Sequence, residues 1–67
     1  PAARRTRFES ALPIRIGNGA WLAAGVIVFP GVMVGDDAVV GAGSVVTKDV
    51  PPRHLCVGNP GRIVREL

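Results

Sequence analysis

From Ile16 to Pro51 the sequence divides into six consecutive blocks of six residues, IGNGAW, LAAGVI, VFPGVM, VGDDAV, VGAGSV and VTKDVP. A missed repeat misassigns a whole fold, so this period constrains the chain more than any local propensity. Every block opens on an aliphatic residue: Ile16, Leu22, Val28, Val34, Val40, Val46. The fifth position is always small or β-branched (Ala20, Val26, Val32, Ala38, Ser44, Val50), and the third and fourth carry turn formers such as Asn18-Gly19, Pro30-Gly31 and Asp36-Asp37. Gly, Asn and Asp tolerate the positive φ of a tight corner.

Each block therefore reads as a short strand followed by a corner. Side chains alternate along a strand, so the first and fifth positions share one face and the second and sixth the other. The first set is expected to fill an interior. A helix is a poor alternative, because apolar residues six apart with an intervening Gly do not build a stripe of period 3.6. Corners recur too regularly for independent hairpins. The pattern predicts an all-β solenoid, in which successive turns stack parallel strands and each turn covers its neighbour's edge.

The sixth position points outward yet holds Trp21, Ile27, Met33, Val39, Val45 and Pro51. An exposed apolar stripe of this kind marks a subunit interface or a ligand groove, and lateral association with copies of the same chain is expected. The interior of a 67-residue chain is small, since at this size only about 60% of the unfolded surface is buried.

Other classes are excluded by what the composition lacks. Cys56 is the only cysteine and His54 the only histidine, so neither a disulfide framework nor a structural zinc site is available. No metal is expected, and a lone cysteine is compatible with a reducing, cytoplasmic setting. No run approaches the roughly 18 apolar residues of a membrane span, and the N-terminus lacks the order of a secretory signal. The net charge of +3 comes mainly from arginines near the two ends. With no aromatics interleaved and no nucleic-acid motif, they fit a phosphate-bearing small molecule better than a nucleic acid.

The blocks, the stretch PIRIGNGAWLAAGVIVFPGVMVGDDAVVGAGSVVTKDVPP and the tail VGNPGRIVREL resemble the C-terminal third of the maltose, galactoside and nodulation-type sugar O-acetyltransferases. These belong to the hexapeptide-repeat acyltransferases. The resemblance implies a left-handed parallel β-helix with three hexapeptides per coil, a short C-terminal extension, and a homotrimer with active sites between subunits. It divides the chain into a connecting segment (residues 1–13), coils (14–52) and a coenzyme-binding strand or tail (53–67).

The same resemblance implies acetyl-CoA as cosubstrate, lying in a groove between adjacent prisms against Trp21, Ala24, Ala42, Thr47, Lys48, Arg62 and Arg65. Small side chains at Ala24 and Ala42 let the pantetheine arm reach the backbone. Arg62 and Arg65 offer forked, charge-assisted contacts to phosphates, for which Lys is a less exact substitute. Trp21 serves either interface packing or as a wall for the coenzyme. Ala24 stands where some relatives carry Ser, and Ala23 replaces the usual Gly.

In the resembling enzymes a histidine takes the proton from the sugar hydroxyl, which attacks the thioester directly. That histidine stands upstream of an arginine-rich segment like Pro1 to Arg7, so it is expected ahead of Pro1. The chain begins at Pro1 without an initiating methionine and is expected to be a fragment with no catalytic residue of its own. Serine and xenobiotic acetyltransferases share the coil and the VGNP tail. A non-catalytic, trimerising remnant is the reading from another class.

Several residues carry a plainer reading. His54, after Pro51-Pro52-Arg53, is expected as a solvated loop residue, and Cys56 in Leu55-Cys56-Val57 as a small buried hydrophobe. The string VVGAGSVV imitates a dinucleotide-binding fingerprint, but Val46 takes the third glycine's place and no helix pattern follows. Asp36 and Asp37 form a turn, as does Asn59-Pro60-Gly61. Arg4, Arg5 and Arg7 make a solvated face offset by Glu9.

Overall fold

The structure, a computed structural model, describes residues 12–67; the readings placed on Arg4, Arg5, Arg7 and Glu9 fall outside these residues. Strands begin wherever a block's sixth residue meets the next block's first: β1 (Arg15–Ile16), β2 (Trp21–Leu22), β3 (Ile27–Val28), β4 (Met33–Val34), β5 (Val39–Val40) and β6 (Val45–Val46). They are two residues long because a corner interrupts every six. β7 (His54–Val57) and β8 (Arg62–Glu66) complete the all-β chain, and among the described residues no helix is long and apolar enough to cross a membrane.

The repeat sets the pairing. β1 pairs with β4, β2 with β5 and β3 with β6, all parallel and eighteen residues apart, with Arg15 opposite Met33, Trp21 opposite Val39 and Ile27 opposite Val45. The residue before each strand's first aliphatic donates its N–H one level down: Arg15 to the Val32 carbonyl (3.1 Å), Trp21 to Ala38 (2.9 Å) and Ile27 to Ser44 (2.9 Å). Three ladders thus rise side by side. β7 and β8 extend the β2–β5 ladder into a four-stranded sheet, β7 parallel to β5 and β8 antiparallel to β7.

First and fifth positions do form the interior. Val32, Val34, Ala38, Val40, Val46, Val50 and Cys56 are buried together, with Ala20, Leu22, Val26 and Val28 packed against them. Burial grades along the stack: Ile16 keeps 46% of its surface exposed, whereas Val34, directly below it in the ladder, keeps none. β1 has a paired strand on one side only, so its inward position closes incompletely.

The sixth block departs from the expected register. The six-residue period makes Val50 a fifth position, but it bridges to Val34, a first position. Three residues, Thr47 to Asp49, cross from Val46 to Val50, where five, Phe29 to Met33, cross one level above. The shortened corner leaves the Met33 N–H without the main-chain acceptor its counterparts use, and the Asp49 carboxylate takes it instead, Oδ1 accepting at 2.9 Å. Val50 N–H returns a bond to the Met33 carbonyl at 2.9 Å.

Beyond this shift the corner geometry returns in a segment where composition gives no hint of it. Arg53 adopts φ 56°, as Asp37 (58°) and Gly19 (74°) do in the corners above it. Its N–H bonds the Asp36 carbonyl at 2.9 Å, as the Asp37 N–H bonds Asn18. His54 is consequently not a loop residue: it opens β7, is half-buried, and its Nδ1 lies 2.8 Å from the Pro52 carbonyl.

Candidate functional site

β7 and β8 determine what the outer surface presents. In β7 the alternation buries Cys56 and turns Leu55 and Val57 outward. Across the four-stranded sheet the register runs Trp21, Val39, Leu55, Arg65, so an exposed indole and an exposed guanidinium close the two ends of one column. At the usual interstrand spacing the two backbones stand about 14 Å apart. Trp21 is 67% exposed, which leaves its ring free to be packed upon.

Arg62 and Arg65 are three residues apart, a spacing that places side chains on opposite faces of a regular strand. Here a register shift intervenes: Arg62 pairs with Val57, Ile63 with Cys56, and Arg65 with Leu55, leaving Val64 as an extra residue. A β-bulge of this kind resets the alternation, so both arginines stand opposite outward residues. Two guanidinium groups on one exposed sheet face are suited to an oxyanion, to which each offers forked donors.

Ala24 and Ala42 lie in the corner that follows this sheet, one above the other. The Gly43 N–H donates to the Ala24 carbonyl at 3.0 Å, both alanines are exposed, and neither side chain obstructs approach to the backbone. Beneath them sits the Gly58–Gly61 turn, which contains a cis Asn59–Pro60 bond. It is joined to β6 by Val45 N–H to the Gly58 carbonyl (2.9 Å) and Gly61 N–H to the Val45 carbonyl (2.7 Å). Glycine is required at 61, since a Cβ there would stand 2.8 Å from Cys56 Sγ and 3.1 Å from the Val45 carbonyl oxygen.

Thr47 and Lys48 occupy the shortened corner, beyond the β3–β6 ladder. The seven residues singled out in the sequence therefore fall into two groups. Trp21, Arg62 and Arg65 share a sheet face adjoining the Ala24–Ala42 corner, and Thr47 with Lys48 lies one ladder away. The described residues enclose no cavity beside either group. Ile27, 56% exposed, stands outward between them on β3.

The hydrogen-bonding roles of two residues that shape this surface escape sequence reasoning. Ser44 is fully buried and its hydroxyl donates to the Gly41 carbonyl (2.7 Å) while accepting the Gly58 N–H (3.1 Å). The available signal is a polar residue at an interior position. Asp49 reads in the sequence as a turn former only, and its capping of Met33 follows from a register that the six-residue period conceals. Cys56 is buried as expected, and desolvation pushes its thiol pKa upward. No group of three metal-binding side chains occurs among the described residues.

The bacterial transferase hexapeptide family, in its six-repeat form, matches residues 13–48. A Staphylococcus aureus (strain COL) protein, an acetyltransferase candidate by name, is 53% identical over 64 residues, 96% of this chain and 32% of its own length. Galactoside O-acetyltransferase of Escherichia coli (strain K12) is 49% identical over 57 residues, 85% of this chain and 28% of the relative. Among solved structures, a maltose O-acetyltransferase from Clostridium difficile 630 superposes with a TM-score of 0.81 at 50% identity, over 84% of this chain and 30% of the other. A galactoside acetyltransferase in complex with coenzyme A gives 0.80 at 51%, over 82% and 28%. A mutant perosamine N-acetyltransferase from Caulobacter crescentus, in complex with CoA and GDP-perosamine, gives 0.76 at 42%, over 79% and 25%. The chain spans under a third of the length of each of these proteins.

Proposed function

This chain belongs to the bacterial transferase hexapeptide family, and from that premise we propose that it is the coenzyme-binding part of an acetyl-CoA-dependent O-acetyltransferase that acylates a sugar hydroxyl. The observation that carries the reading is the likeness to galactoside acetyltransferase in complex with coenzyme A, at 51% identity over 82% of this chain. Residues 14–52 act as the coils of a left-handed parallel β-helix and residues 53–67 as the coenzyme-binding tail, in a cytoplasmic homotrimer.

In this reading the coenzyme lies along the open surface between two copies of the chain, the second copy supplying the wall that one alone lacks. Arg62 and Arg65 hold its phosphates, Ala24 and Ala42 admit the pantetheine arm to the corner backbone, Trp21 flanks it, and Thr47 with Lys48 contacts it from the shortened corner. An oxygen lone pair of the acceptor hydroxyl forms a bond to the acetyl carbonyl carbon, the C–S bond breaks, and its electron pair leaves on the coenzyme sulfur. The hydroxyl proton passes to a general base, and the departing thiolate is reprotonated. That base is assigned to the part of the enzyme's length that this chain does not span. His54, whose Nδ1 lies 2.8 Å from the Pro52 carbonyl, is not assigned that role, because the resembling enzymes carry their base upstream of the arginine-rich segment.

The likeness to a perosamine N-acetyltransferase in complex with GDP-perosamine favours a second reading, in which the acceptor is an amino group on a nucleotide-linked sugar. Calorimetric titration with coenzyme A, beside thioester cleavage with maltose, galactosides, serine and a nucleotide-linked amino sugar, separates these. The expected result is binding that Arg62→Ala weakens, with acetyl transfer to a sugar hydroxyl by the whole enzyme. Binding without any transfer by the whole enzyme points to a trimerising, non-catalytic module, and no binding overturns the coenzyme reading.

A further inference from the structure

We propose that Asp49 is a positioning residue for the coenzyme corner: by capping the Met33 N–H it holds Thr47 and Lys48 in the shortened corner, two residues shorter than the one above it. This rests on the coenzyme reading of that corner. In each complete corner the N–H of a strand's first residue meets a main-chain carbonyl one level below, as Arg15, Trp21 and Ile27 do. At Met33 the path below is three residues long instead of five, and the carboxylate of Asp49 supplies the missing acceptor at 2.9 Å.

The consequence is local shape. Phe29, Pro30 and Gly31, which belong to the longer corner above, are exposed, and the shorter path of Thr47 to Asp49 passes below them. The Phe29 N–H is tied to the Val46 carbonyl (2.9 Å) and the Val50 N–H to the Met33 carbonyl (2.9 Å), so the corner is pinned at both ends by main-chain bonds. Between those bonds the side-chain tie is the one from Asp49 to the Met33 N–H. Removal of the Asp49 carboxylate frees the Met33 N–H and lets residues 47–49 relax toward solvent, carrying Lys48 away from its place. A carboxylate accepting a backbone N–H makes a charge-assisted bond; asparagine keeps the accepting oxygen at the same point without the charge.

The experiment is a double-mutant cycle on coenzyme A affinity, read by calorimetry on the whole enzyme with Asp49→Ala, Asp49→Asn, Lys48→Ala and the Asp49→Ala/Lys48→Ala pair. The expected result is about a tenfold loss for Asp49→Ala, with Asp49→Asn within about threefold of the parent, and a pair no weaker than its more damaging member, because residues acting through one another are non-additive. Additive losses, or an Asn variant as weak as the Ala variant, overturn the positioning role. Parental affinity in Lys48→Ala overturns it by removing the corner from the coenzyme reading, whereas a loss in Lys48→Ala with Asp49→Ala unaffected overturns the positioning role alone. Should Asp49→Ala fail to fold, hydrogen exchange on the parent protein decides: coenzyme A is expected to slow exchange of the Met33 amide, and an unchanged rate overturns the inference.

Discussion

The Ser44 hydroxyl stands between coil and tail, accepting the Gly58 N–H at 3.1 Å and donating to the Gly41 carbonyl at 2.7 Å. It is the one polar residue among the buried side chains described, and it ties the turn that leads to Arg62 and Arg65 to the corner that holds Ala42. Ser44→Ala removes the acceptor of the part-buried Gly58 N–H, and the net loss of one hydrogen bond costs about 0.5–1.5 kcal/mol. Urea unfolding is expected to show a loss in that range, together with faster exchange of the Gly58 amide. A change below about 0.5 kcal/mol, the scatter of ordinary surface substitutions, contradicts this account of Ser44.

Gly61→Ala tests the seating of the tail. The added methyl meets Cys56 Sγ and the Val45 carbonyl oxygen, neither of which is the free end of a flexible side chain. Overpacking of this kind costs about 1–3 kcal/mol, and because the turn must shift, the β7–β8 hairpin moves with it. Coenzyme affinity is expected to fall more than global stability does. Equal affinity in a destabilised protein would show that the tail's placement does not govern binding.

The arginine pair gives a prediction that runs against intuition. Val64 is the bulge residue, and its deletion leaves Arg62, Ile63 and Arg65 opposite Val57, Cys56 and Leu55 in a regular ladder. Deleting Val64 is therefore expected to keep coenzyme A affinity within about threefold. By contrast, Arg65→Ala weakens it about tenfold or more, since hydrogen bonds to charged groups contribute about 1.5–3 kcal/mol. Titration calorimetry at low and high salt checks both, and a deletion as damaging as Arg65→Ala removes the bulge from the account.

Burial of Cys56 raises its thiol pKa, which makes stability depend on pH in a definite direction. The unfolded chain loses the thiol proton first, near pH 8.5, while the folded chain still holds it. Stability from this group is thus complete below that pH and declines as pH climbs toward the higher folded value. Urea midpoints at pH 7 and pH 10 are expected to differ more for the parent than for Cys56→Ala, with other alkaline groups common to both. An identical pH response in the two proteins would rule this out.

Core substitutions should follow the gradient along the stack. Val40→Ala removes apolar surface that is wholly buried and is expected to cost about 2 kcal/mol at roughly 0.8 kcal/mol per buried methylene equivalent. Ile16 is 46% exposed, and replacement by Ala there costs less despite removing a larger side chain. Chemical denaturation of the two variants checks the order, and a costlier Ile16→Ala reverses it.

The strands, the corners and the inward set from Val32 to Val46 are legible from the period alone, because strand alternation puts first and fifth positions on one face; the eighteen-residue spacing of the paired strands is implied only by the resemblance. Cys56 is legible as buried from its apolar neighbours. His54 is not, because Pro51-Pro52-Arg53 looks like a loop, whereas positive φ at Arg53 turns it into a further corner. The seven residues proposed to contact the coenzyme come from resemblance rather than pattern, and the structure distributes them over one sheet face and two corners.

What the sequence by itself determined is therefore the local alternation: which residues turn, which point inward, and where strands two residues long begin. Tertiary structure decided the rest, since each remaining feature depends on what lies one coil above or below. The two-residue contraction is invisible until Val50 meets Val34, the carboxylate of Asp49 finds its role only when Met33 arrives sixteen residues away in sequence, and the bulge that places Arg62 and Arg65 on one face exists only because β8 pairs with β7. Hydrogen bonds between paired strands are long-range, and a period read along the chain carries no record of where that pairing slips.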